Sequence, residues 1–123
     1  MKKLILGSVA ALAAISSLSA HAVTASFCNG GVAMNSPVTA TSGPTRFVKV
    51  AFTPKCSANV FLVGDDFSPT VYRVGSASVK GKTRFNGSTI GGSVGVNALC
   101  GAAPTNTCVL NDAALANNAA PTQ

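Results

Sequence analysis

Four cysteines, at positions 28, 56, 100 and 108, all lie downstream of an export-type leader, and together these two features constrain the 123-residue chain more than any other. Lys2-Lys3 give a basic start, Leu4 to Leu18 form an apolar run broken only by small residues, and Ala20-His21-Ala22 is a small-x-small cleavage site. That is the pattern of a cleaved secretory signal. The apolar run is shorter than the roughly 20 residues that span a bilayer, so residues 1–22 are read as a signal peptide rather than an anchor. No later segment is apolar enough for long enough to span one. An even number of cysteines in an exported domain reads as a disulfide framework. Three pairings are possible. Residues 101–107 form a short loop that Cys100 and Cys108 can close locally, which leaves Cys28 with Cys56. Each bridge contributes about 2–4 kcal/mol, mainly by restricting the unfolded chain.

Removing the leader leaves 101 residues, enough for one domain. Its most hydrophobic stretch, Arg46 to Gly64, holds three of the six Phe. Val48, Val50 and Phe52 alternate with Lys49 and Ala51, the period of a half-buried strand. Thr53-Pro54 breaks that run. Val60 to Val63 is continuously apolar, as in a strand covered on both faces, and Gly64-Asp65-Asp66 supplies turn residues at its end. A first strand is expected over Val23–Phe27 and further strands over Thr70–Val74 and Val79–Phe85. Asn86-Gly87 is the strongest hairpin signal, because both central positions of a type I′ turn need positive φ. Ser88 to Val96 is glycine-rich and suits a bulged strand or a loop. Thr107–Leu110 is a possible last strand, Asn111-Asp112 a cap for one helical turn at residues 113–115, and residues 117–123 a frayed tail. The expected fold is all-β: a small disulfide-stabilised antiparallel sandwich or barrel of short strands over residues 23–112, followed by a helical turn or disordered tail over 113–123.

The chemistry is limited by what is missing. The one His, His21, leaves with the signal, and there is no Glu. A Ser-His-Asp or Cys-His mechanism has no imidazole, and the only carboxylates are Asp65, Asp66 and Asp112. No catalytic residue, metal site or cofactor is assigned. Zinc spacing is absent, and Asp65-Asp66 alone make a poor calcium loop. Gly81-Lys82-Thr83 resembles the end of a phosphate-binding loop, but no glycine stands at the required position upstream and no helix follows.

Loss of Lys2 and Lys3 with the leader lowers the net charge from +6 to +4. Lys80, Lys82 and Arg84 would alternate onto one face of an extended strand, with Arg73 on a neighbour. Such a set is either a guarded strand edge or a cationic patch for an anionic partner. The sequence therefore points to a non-enzymatic exported β module, periplasmic or extracellular, that acts by surface contact as a structural, adhesive or envelope-associated component. Its partners would be an envelope protein or an anionic polysaccharide rather than nucleic acid, since one Tyr and no Trp leave little for base stacking. The alternatives are a soluble binder of an anionic ligand through Lys80, Lys82, Arg84 and Arg73, or a small secreted toxin or inhibitor.

Overall fold

The computed structural model describes residues 23–36, 39–91 and 93–123. The signal peptide expected over residues 1–22 lies outside them. The chain is mostly β. Five antiparallel strands form one sheet in the order β1-β4-β5-β6-β7, where β1 is Val23–Asn29, β4 Val60–Ser68, β5 Val71–Ser78, β6 Thr83–Ser88 and β7 Gly95–Leu99. β2 (Met34–Asn35) and β3 (Lys55–Cys56) make a separate two-stranded ribbon. One nine-residue helix, α1 (Leu110–Asn118), follows the last strand. No helix among the described residues is long and apolar enough to cross a membrane.

Each face of the sheet has its own small core, and each core contains one disulfide. On one face α1 lies across β4, β5 and β6, burying Phe61, Val63, Ala77 and Ala113 with the Cys100–Cys108 bridge. On the other face segment 39–54 and the ribbon cover Phe27, Ala40 and Val48 with the Cys28–Cys56 bridge. Both pairings are those expected from local loop closure. A bulge in β1 lets Phe27 and Cys28 together oppose Leu62, so two consecutive residues reach the same core. The α1 face depends on a bare strand position. A Cβ at Gly75 would overlap the Ala113 carbonyl oxygen and the Asn117 amide nitrogen, so the helix backbone rests directly on β5.

Several local expectations give way to tertiary contacts. Residues 48–52 form no strand: Val48 is buried, but Val50 is 79 % exposed, and the alternation does not report a shared face. This segment is held by single bonds instead, from Ala40 N to the Phe52 carbonyl and from Gly43 N to the Val48 carbonyl. The run at Val60 continues through Asp65 and Asp66 to Ser68, because both carboxylates find partners inside the fold. Asn86-Gly87 lies within β6, not in a turn. Gly87 sits opposite Val74 with Val94 close above it, and the chain reverses later, through residues 89–91. The last strand is β7 rather than Thr107–Leu110. The helix spans about two and a half turns and begins earlier than residue 113. Its cap is made from the third helical position, where Asp112 Oδ2 accepts the Val109 amide at 2.9 Å. Residues 117 and 120 are buried, so the chain end is docked rather than frayed.

Candidate functional site

All three carboxylates of the described chain are buried, and each one fastens a layer. Asp65, fully buried on the helix face, pairs with Arg73, whose Nε donates to Oδ2 at 3.0 Å and whose Nη2 also reaches that oxygen. Arg73 in turn donates to the Asn118 carbonyl at the end of α1 and lies 4.3 Å from the centre of the Phe67 ring. Asp66 points to the other face and accepts the Phe47 and Val48 amides at 2.9 and 3.2 Å, which anchors the covering segment. Asp112 accepts from the Gly101 amide at 3.3 Å and from Arg84 Nη1 at 3.5 Å besides capping its helix. These groups are occupied in holding the fold. No cluster of three His, Cys, Asp or Glu side chains suited to a metal ion occurs among the described residues.

The four basic residues singled out in the sequence divide into two pairs. Arg73 and Arg84 are turned toward α1, and Arg84 Nε also donates to Asn97 Oδ1 at 2.9 Å. Lys80 and Lys82 do not share a strand with Arg84; they lie in the connection between β5 and β6 and are exposed. The anticipated single-strand stripe of Lys80, Lys82 and Arg84 is therefore not formed. Strand pairing brings a different set together. Asn29 faces Phe61, Val60 faces Ser78, and Thr83 faces Leu99, so the turns after β1 and β5, the starts of β4 and β6 and the exit of β7 share one end of the sheet. The ribbon joins that end, because Cys56 is bridged to Cys28 and Asn59 N donates to the Gly31 carbonyl. Lys55 therefore joins Lys80 and Lys82. The same end carries Val32 (71 % exposed), Met34, Leu99 and Val109, all well exposed. Lys55 was recoverable from the sequence, since the Cys28–Cys56 pairing already sets its neighbour beside the end of β1. The exposed apolar residues gave no such signal: Val32 and Met34 fall in residues 32–45, whose polar composition reads as a loop or a weak edge strand, and Leu99 and Val109 stand outside that segment.

An aromatic group lies on the covered face. Tyr72 and Phe47 have ring centres 6.2 Å apart, and Phe27 and Phe52 are 6.3 Å apart. Tyr72 and Phe27 meet over Gly64, where a Cβ would strike both rings. The Tyr72 phenol is pushed up from 10.0 to about 12, first by burial and then by the nearby charges of Asp66 and Asp65. Folding thus keeps the phenol protonated. The stability linked to that preference is fully present below pH 10.0 and is lost as the pH rises toward about 12. As this is the only tyrosine, absorbance of the phenolate near 295 nm should titrate about two units higher in the folded protein than in denaturant. Coincident titrations would show that the ring is solvated.

Two broader hollows, of about 310 and 410 Å³, are lined by Tyr72, Val74, Gly87 and Val94 and by Thr24, Ser26, Val63 and Leu110 among others. Neither lining contains a carboxylate, lysine or arginine. The cationic and apolar end of the sheet is therefore the candidate site. No protein-family model matches the chain, and comparison with curated proteins and with solved structures finds no match.

Proposed function

We propose that this chain is a non-enzymatic exported module that works by surface contact, as a structural, adhesive or envelope-associated component outside the cytoplasm. One observation carries the reading. Every carboxylate is used inside the fold, while the exposed charged side chains among the described residues are all lysines. A protein without an available carboxylate or imidazole lacks the usual proton-transfer groups, whereas an exterior of one sign is suited to meeting an opposite charge. Two disulfides accord with an oxidising compartment. In this reading residues 1–22 direct export and are removed. The same reading takes the sheet, with the ribbon and segment 39–54 across one face, as an incomplete sandwich; the position of β1 and β7 as its outer strands supports this.

A soluble binder of an anionic ligand is the second reading. It is favoured by the burial of every acidic side chain among the described residues, which leaves none of them exposed beside Lys80 and Lys82. Light scattering on the protein from its own host separates the two. An assembly, or co-elution with an envelope component, is expected for the first; a monomer favours the second. Turnover of an ester, peptide or phosphate substrate above a matched blank would overturn both.

A further inference from the structure

We infer that the end of the sheet formed by Lys55, Lys80, Lys82, Val32, Met34 and Leu99 docks on an anionic lipid bilayer; this rests on the surface-contact reading and names the surface. Three features select the occupant. The first is charge: three exposed lysines gather there and no acidic side chain is exposed anywhere among the described residues. A second copy of the chain would bring like charges together, whereas a negatively charged leaflet attracts each lysine. The second is apolar exposure among those charges. Val32 is 71 % and Leu99 62 % exposed, with Met34 and Val109 near half. A hydrated polyanion such as an acidic polysaccharide gives these side chains nothing to contact, but the boundary between headgroups and acyl chains does. The third is shape. The groups sit on separate turns and strand ends, and the hollow beside Val32 and Met34, bounded also by Cys28, Gly30 and Cys56, is about 20 Å³, room for roughly one water molecule. A rigid protein partner needs a groove or pocket for its anchoring side chains; a fluid surface conforms to projecting tips.

The test is co-sedimentation of the exported, disulfide-bonded protein with vesicles of equal phosphatidylglycerol and phosphatidylcholine, compared with phosphatidylcholine alone. Binding is expected to the anionic vesicles and to fall with added salt. The triple variant K55Q/K80Q/K82Q should bind about 100-fold more weakly, since each lysine near an anionic surface contributes a factor of about five. Val32→Ser with Leu99→Ser should cost roughly ten-fold, as two partly buried apolar side chains are lost from the contact. Lys49→Gln, on the segment anchored by Asp66 toward the other end of β4, should change binding less than about two-fold, as expected for a charge outside the contact. Circular dichroism of each variant checks that the sheet is intact. Equal binding to both vesicle types, no binding to either, or a fully active triple variant would overturn the proposal. So would retention on dextran sulfate that is unaffected by the Val32 and Leu99 changes, which would assign the lysines to a soluble polyanion. In each of these cases the surface-contact reading is judged separately, by the native mass and the absence of turnover.

Discussion

Asp65→Ala should destabilise the protein by about 3–5 kcal/mol, because it strands a buried guanidinium. Arg73 is among the most enclosed charged residues of the fold, and its remaining contacts are one backbone carbonyl, at Asn118, and the face of Phe67. Neither replaces a carboxylate. A domain of this size is held together by a margin of only about 5–15 kcal/mol, so the variant should populate unfolded forms under mild conditions. Urea unfolding measures the loss, and a double variant decides its origin. Asp65→Leu with Arg73→Met removes both charges, and it should recover most of the difference, since a buried ion pair exchanged for apolar groups is often close to neutral. If Asp65→Ala costs less than about 1 kcal/mol, as an exposed pair would, the pair does not fasten α1.

Gly75→Ala is expected to cost about 3 kcal/mol, the upper part of the usual range for overpacking. The obstruction is the reason. The new methyl group would meet the Ala113 carbonyl and the Asn117 amide, which are backbone atoms and cannot rotate aside as a side chain can. The whole helix would have to lift from β5, and with it the buried Ala113 and Ala116. Gly95→Ala provides the control. A Cβ there meets nothing within 4 Å, and the change should be neutral or slightly stabilising because it restricts the unfolded chain by roughly 0.5 kcal/mol. Proteolysis within residues 110–118 should accelerate in the first variant alone. Equal behaviour of the two would mean that α1 does not rest on the strand.

How far the sequence anticipates this structure depends on whether the deciding partner is near in the chain. The Cys100–Cys108 bridge closes over a few residues, and with four cysteines it decides the other pairing as well. β1 is visible from its own composition. Asp65 and Asp66 look like turn residues because the groups that accept them into a strand come from elsewhere: Arg73 across the next hairpin and two amides from residues 47–48. The first of these was out of reach: a plain reversal at Pro69-Thr70 would set Asp66 opposite Arg73, and the irregularity between Asp66 and Ser68 shifts the register so that Asp65 faces it instead. Asn86-Gly87 has ideal turn chemistry but serves as a strand position, where the glycine admits Val94. Val48 to Phe52 has ideal strand periodicity, but Val48 is fixed by Asp66 and Phe52 by Phe27, contacts that do not lie on one pleated face. The candidate site was half legible. Lys80 and Lys82 stand out in the sequence, whereas the withdrawal of Arg73 and Arg84 depends on acceptors at Asp65 and Asp112 that only the folded chain supplies.

The two covers are fastened separately. Segment 39–54 with its ribbon is tied by Cys28–Cys56 and Asp66, and the C-terminal helix by Cys100–Cys108, Asp65 and Asp112. Both rest on β4, one on each of its faces. Damage to one clasp, such as reduction of a single bridge, is therefore expected to loosen its own side of the sheet first. Insertions within either cover are buffered in the same way, while β4 and β5, which serve both sides, leave the chain its least room to vary.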